Sequence, residues 1–225
     1  MNQPPPPSSQ PPHPEPARGQ DVSPPGPSNP PRRKWLVMLV ALLAALVARR
    51  FLTRPVGTRH AAVGRELPDF PLEPLTGSEP PVSPGQLRGQ VALLTLWGPW
   101  CPSCVREFPE LASLRQELDG RPFRWLPVTV SGDLTEDLLE LRESTRQFLE
   151  RSKLTDQPTF ADPTGAARKA IGRTLAASSL PVPTTLLVDS HQVIRGVWQG
   201  YAPSDLAEMR ELIVALLADQ GQDAS

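Results

Sequence analysis

The sequence predicts an α/β domain built around a βαβ unit, preceded by an N-terminal quarter of different composition. Two continuous apolar runs, "VALLTLW" (Val91–Trp97) and "FRWLPVTV" (Phe123–Val130), have the pattern of central strands covered on both faces. Between them, apolar residues recur every three or four positions, as on one side of an amphipathic helix that ends near Gly120. This apolar stripe comprises Val105, Phe108, Leu111, Leu114 and Leu118.

Further elements are predicted on both sides of this unit. The turn-rich residues 64–90 suggest a short hairpin that leads into the first central strand. After the βαβ unit, "TGAARKAIG" predicts a short helix, and "TTLLVD" with "QVIRGVW" predicts a hairpin. A last helix is expected behind a Ser204 cap. Another helix is indicated by the spacing of Leu134, Leu138, Leu141, Phe148 and Leu149.

Composition excludes several functional classes. The 225 residues allow one ordinary domain plus appendages, and a net charge of −1 argues against nucleic acid as a partner. Only two cysteines and three histidines are present, too few for a disulfide-stapled small fold or a four-cysteine zinc site. We therefore expect no metal, and the cysteine pair needs an explanation of its own.

The N-terminal quarter predicts a tail followed by a membrane signal. Residues 1–34 are rich in proline and are expected to be disordered. The uncharged run Trp35–Ala48 lies between basic clusters, and residues 35–52 are interpreted as an uncleaved transmembrane signal anchor. A cleaved signal peptide and a buried helix remain alternatives, and the charges at both ends do not decide the orientation. We then expect a tether over 53–63, the domain over 64–219, and a disordered tail over 220–225.

The chemistry is predicted by "WGPWCPSC", which holds both cysteines directly after a buried strand. At a helix start, Cys101 would be favoured as a nucleophilic thiolate by unpaired backbone N–H groups, and Cys104 would resolve the mixed disulfide. The chain offers no second cysteine pair for zinc and no histidine directly after Cys104 for haem. Trp100 could dock an extended substrate or simply pack. Glu107 could exchange a proton with Cys104 or be an ordinary exposed carboxylate.

The segment "WGPWCPSCVREFP" resembles the active site of the TlpA-like (TlpA/ResA/CcmG) branch of the thioredoxin superfamily, whose members are membrane-anchored extracytoplasmic thiol-disulfide oxidoreductases. The similarity runs from about Gly64 to Leu217 and includes "LPDFPLEPLTG", "LRGQVALLTLWGPWC" and "VPTTLLVD". It implies a thioredoxin-like fold, with a mixed central sheet flanked by helices and an N-terminal hairpin lead-in.

The resemblance also implies roles for individual residues. Cys101 would be the exposed nucleophile, Cys104 its buried partner and Glu107 the acid that tunes them. Pro183 would be the cis-proline opposite the disulfide, leaving the Val182 backbone free for strand-like pairing with a substrate. The sequence departs from thioredoxin where Thr95 replaces a buried aspartate, which makes Glu107 the more plausible proton acceptor.

The resemblance further implies a reductase whose domain faces the periplasm or the cell exterior. Its substrate would be a disulfide-containing protein such as apocytochrome c, and its electrons would come from a transmembrane thiol donor. No metal or organic cofactor is expected. The alternatives are a disulfide-forming oxidase, a thiol peroxidase and a non-catalytic thioredoxin-like binding module.

Overall fold

The computed structural model describes residues 35–43, 56–132 and 137–223, and it divides the chain into units of Met1–Arg50 and Phe51–Ser225. In the first unit, residues 35–43 form helix α1 with exposed side chains. Residues 44–52 of the predicted anchor and the predicted tail over 1–34 lie outside the described residues. Within the described ranges, every helix is too short or too polar to span a membrane.

The second unit is built on one mixed sheet of six strands, which confirms the predicted α/β class. The strand order is β1-β4-β3-β2-β5-β6, in which β2, β3 and β4 run parallel while the other neighbouring pairs are antiparallel. The strands are β1 (Glu73–Thr76), β2 (Val91–Trp97), β3 (Phe123–Thr129), β4 (Thr159–Ala161), β5 (Thr184–Val188) and β6 (Ile194–Gln199).

Helices cover both faces of this sheet. Helix α4 packs on one face, and α2, α3 and α5 pack on the other. Alternate residues of β2 enter the two cores, Leu94 on the side of α4 and Leu93 on the side of α2, which explains why the whole strand is apolar. The helices are α2 (Pro102–Glu117), α3 (Leu138–Arg151), α4 (Ala166–Leu175) and α5 (Asp205–Asp223).

The hairpin lead-in is reduced in the structure. Residues 64–90 close on themselves through one bridge, in which Leu72 and Val82 exchange two backbone hydrogen bonds of 2.8 and 3.0 Å. Strand β1 follows Leu72 directly and pairs with β4 instead. Pro80 and Pro81 have no backbone N–H to extend a ladder next to Val82, which limits the hairpin to this bridge.

Two predicted boundaries differ from the structure, and a third falls partly outside the described residues. Residues 56–63 of the predicted tether lie on the domain: a 3₁₀-helix spans Val56–Arg59, and Ala62 is part of the core. Helix α5 continues to Asp223, so residues 220–223 are helical where a tail was expected. Helix α3 begins at Leu138, capped by Asp137, and the predicted helical position Leu134 lies outside the described residues.

Candidate active site

The two cysteines lie where β2 passes into α2. Cys101 is the N-cap of α2, and Pro102 occupies the first helical position, where its fixed φ is already suited to a helix. Cys104 follows at the third helical position, and the two cysteines form a disulfide with a Cα–Cα distance of 5.2 Å. The strand–helix junction therefore holds the pair at the positive end of a sixteen-residue helix.

Polar groups surround the Cys101 sulfur. The Cys104 backbone N–H points to this sulfur at 3.3 Å, the Ser103 hydroxyl lies 3.2 Å away, and the Val182 carbonyl oxygen lies 3.5 Å away. Cys101 is only 4% exposed and Cys104 1%, so the expected contrast between an exposed and a buried cysteine is small in this disulfide state. Val182 packs against the core cluster that contains both cysteines, which explains the shielding of Cys101.

The loop opposite the disulfide contains Pro183. The Val182–Pro183 peptide bond is cis, as the resemblance implies. The loop is held by its neighbours, because the Gly200 N–H donates to the Pro183 carbonyl at 2.8 Å and the Thr184 hydroxyl donates to the Pro181 carbonyl at 2.6 Å. The structure thus brings Val182 and Pro183 next to Cys101, although more than eighty residues separate them in the chain.

Glu107 is buried one helical turn beyond Cys104. Its side chain is 4% exposed, which removes the alternative of an ordinary surface carboxylate. Burial, followed by the negative charges of Asp205 and Glu110, raises its pKa from 4.5 to about 8. Glu107 is therefore protonated at neutral pH and stands on the same side of α2 as Cys104, where it can act as an acid or base.

Trp100 lies beside the disulfide with 49% of its surface exposed. The indole Nε1 donates to the Val130 carbonyl at 2.9 Å, and the ring lies against the backbones of Gly98 and Gly132. A side chain at Gly98 would overlap the ring, so glycine there allows the indole to lie flat. Trp100 is thus a fixed, half-exposed apolar surface at the edge of the site, as a docking role requires.

Sequence reasoning missed the contacts made by Thr95 and by Asp205. In β2, Thr95 is fully buried; its hydroxyl accepts from Trp125 Nε1 at 3.1 Å and lies 3.2 Å from the Thr185 hydroxyl. Asp205 at the start of α5 is close enough to Glu107 to affect its charge. An acidic residue in a first helical turn was visible in the sequence, but only the packing of α5 against α2 places it near Glu107.

Across residues 35–43, 56–132 and 137–223, no three His, Cys, Asp or Glu side chains are grouped as a metal site would require.

The sheet order, the disulfide at the start of α2 and the facing cis-proline loop define the class as a thioredoxin-like thiol-disulfide oxidoreductase. Residues 62–213 match the Redoxin family, and the chain belongs to this family.

Named relatives agree with this class. The chain is 29% identical to the thiol-disulfide oxidoreductase ResA of Geobacillus thermodenitrificans, over 73% of this chain and 83% of that protein. It is 26% identical to the thiol:disulfide interchange protein DsbE of Xylella fastidiosa, over 82% of this chain and 83% of that one. The fold is similar to a Chlorobium tepidum structure described as DsbE, with a TM-score of 0.55, 22% identity and coverage of 69% and 97%.

Proposed function

We propose that this thiol-disulfide oxidoreductase is a membrane-tethered, extracytoplasmic reductase of protein disulfides. The observation that carries the proposal is the Cys101–Cys104 disulfide, which lies at a helix N-terminus one turn from the protonated, buried Glu107. The helix end favours a thiolate at Cys101, and Glu107 supplies a proton-exchanging group beside Cys104.

The forward half of the cycle begins with the reduced pair. The Cys101 thiolate attacks one sulfur of the substrate disulfide, forms a mixed disulfide and expels the first substrate thiolate. Glu107, which the return half of the cycle leaves as a carboxylate, accepts the proton of the Cys104 thiol. The Cys104 thiolate then attacks the Cys101 sulfur and expels the second substrate thiolate, so the substrate gains two electrons and the Cys101–Cys104 disulfide forms.

The return half starts from the state that the structure describes. A thiolate of the electron donor attacks Cys101 Sγ, and the Cys104 sulfur leaves as a thiolate. Because Glu107 is protonated below about pH 8, it can give its proton to that leaving sulfur. A second donor thiol then releases Cys101 as a thiolate beside the Cys104 N–H, which points to it at 3.3 Å in the disulfide.

The substrate surface proposed here combines the Val182 backbone with Trp100. An extended polypeptide beside Cys101 can pair with the Val182 main chain as an added strand, while the half-exposed indole of Trp100, the residue before Cys101, offers it an apolar surface. A polypeptide can contact Val182 and Trp100 in addition to the reacting sulfur, whereas a small thiol reaches only the sulfur. The surface therefore suits a polypeptide substrate better than a small thiol.

Location and partners rest on the sequence and on the relatives. The apolar, positively flanked segment 35–52 supports a membrane anchor, and the names ResA and DsbE support an exchange protein of this branch. On this basis we assign a transmembrane thiol donor as the source of electrons and an oxidised protein such as apocytochrome c as the substrate.

Trapping tests the catalytic proposal. In Cys104→Ala the mixed disulfide at Cys101 cannot be resolved, so we expect reductant-sensitive adducts on non-reducing gels, and Cys101→Ala as the matched control should form none. Equilibration of the pair with glutathione tests the direction. A reductase should have a potential near that of thioredoxin, about −270 mV, and a value near about −120 mV would indicate an oxidase instead.

A further inference from the structure

We propose that a basic groove beside the cis-proline loop binds acidic residues that flank the target cysteine of the substrate polypeptide. The basic groove is the concavity of about 650 Å³ between α4 and the segment that leads to the loop. Its lining includes Arg168, Lys169, Arg173, Ser178, Ser179 and Leu180. The inference rests on the proposed function, because it assigns a preference to the polypeptide that Cys101 attacks.

Two cations of the basic groove are left without ionic partners. Lys169 and Arg173 are exposed, and neither forms an ion pair with any residue that the structure describes. Arg168 lies 3.6 Å from Asp162, and α4 itself carries no acidic residue. The groove lining also contains no acidic side chain. A site with this charge favours an anionic partner.

Some cations on other helices of this domain are paired with carboxylates, whereas Lys169 and Arg173 are not. On α3, Arg146 pairs with Glu143 and Glu150, and on α5, Arg210 pairs with Glu117 of α2. Ion pairing therefore accounts for Arg146 on α3 and Arg210 on α5, but it does not account for Lys169 and Arg173 on α4.

The spacing of the α4 pair also opposes a purely structural role. Lys169 and Arg173 are four residues apart, so they are neighbours on one side of the helix and repel each other. Arg173 lies in the last turn, where the helix dipole favours a cation, but Lys169 lies in the middle, where it gains no such stabilisation. The position of Lys169 is therefore the stronger of the two arguments for a binding role.

The position of the groove connects it to the reacting sulfur. Leu180 lines the groove, and Val182, two residues further, places its carbonyl oxygen 3.5 Å from Cys101 Sγ. Two residues of extended chain span about 7 Å. We consider a substrate strand that pairs with Val182 while its cysteine contacts Cys101. Residues two to four positions from that cysteine would then lie along the groove. Acidic side chains at those positions would meet Lys169 and Arg173.

The test compares matched peptide disulfides. The full chain, reduced beforehand, is mixed with one of three peptides that each contain a disulfide-bonded cysteine. The peptides differ in the residues two to four positions from that cysteine on each side, which are glutamate, glutamine or lysine. At low salt we expect kcat/KM for the glutamate peptide to exceed that for the glutamine peptide about fivefold, as one or two exposed ion pairs would give. The lysine peptide should be slower than both, and 1 M salt should remove the differences.

The variants locate the effect. The double substitution Lys169→Gln and Arg173→Gln should abolish the preference for glutamate and leave the rate with the glutamine peptide unchanged. Arg121→Gln is the matched control. Arg121 is exposed just before the start of β3, and the disulfide follows the end of β2. Because β2 and β3 are parallel, Arg121 lies at the opposite end of the sheet from the disulfide. This control should keep the preference in full.

Each result separates the two proposals. Equal rates with all three peptides would overturn the groove proposal while leaving the oxidoreductase intact, whereas no reduction of any peptide would count against the proposed function itself. A preference that persists in the double variant would also overturn the groove proposal. The groove proposal fails equally if Lys169 and Arg173 affect only binding to anionic lipid vesicles, because the groove would then face a membrane.

Discussion

Replacing Glu107 with glutamine should stabilise the oxidised protein, and the gain should grow with pH. The pKa of Glu107 is raised from 4.5 to about 8 by burial and by the nearby charges of Asp205 and Glu110. Below pH 4.5 the carboxyl is neutral in both the folded and the unfolded state and folding costs no ionisation. Between 4.5 and 8 the unfolded chain is ionised while the folded chain keeps its proton. The wild type then loses about 1.4 kcal/mol per pH unit relative to the neutral amide.

The assay is chemical unfolding of the oxidised wild type and Glu107→Gln at several pH values. Between pH 5 and pH 7 their difference in unfolding free energy should change by roughly 2 to 3 kcal/mol in favour of glutamine. Comparing two pH values cancels the constant cost of burying an amide. Glu117→Gln on the same helix is the control, because Glu117 is an exposed partner of Arg210 and should give a nearly flat difference. A flat difference for Glu107→Gln as well would refute the assignment of a buried, protonated carboxyl.

Two further predictions concern the edges of the site and of the domain. Trp100→Ala should raise KM for peptide disulfides roughly tenfold through lost aromatic contact, while reduction by a small dithiol stays within about twofold of wild type; an unchanged KM in steady-state assays would contradict the docking role. Gly57→Val should lower the free energy of unfolding by about 1 to 3 kcal/mol, because a side chain there overlaps the Trp198 ring; an unaltered denaturation midpoint would show that this contact does not hold the segment.

The central part of the fold could be predicted because its signals are local. The apolar run of β2 enters two cores, and the spacing of Phe108 and Leu111 marks the buried side of α2, so strand, helix and cysteine position all follow from neighbouring residues. The hairpin of β5 and β6 was equally local, and the structure confirms it. The class of chemistry followed from the same short stretch, since both thiols and the helix start lie within it.

What the sequence left open depends on contacts between distant segments. Strand β1 pairs with β4 some eighty-five residues away, and the turn residues of 64–90 indicated only a local hairpin. Whether Glu107 is buried depends on the packing around α2, and Pro183 gained a role only through the family resemblance. Residues 53–63 were interpreted as a tether because they show no apolar periodicity, and the burial of Gly57 depends on its contact with the distant Trp198.

If residues 35–52 anchor the protein as proposed, the docked start of the domain limits how far the disulfide can move from that anchor. The Glu208 carboxylate accepts hydrogen bonds from Trp198 Nε1 at 2.6 Å and from the Gly57 N–H at 3.3 Å, which clamps the chain at this point. Residues 56–63 therefore do not lengthen the flexible connection to the anchor. As free chain they could have added about 25 Å to it. A partner of the tethered domain must accordingly meet the disulfide closer to the membrane surface. This favours partners that are themselves held at that membrane.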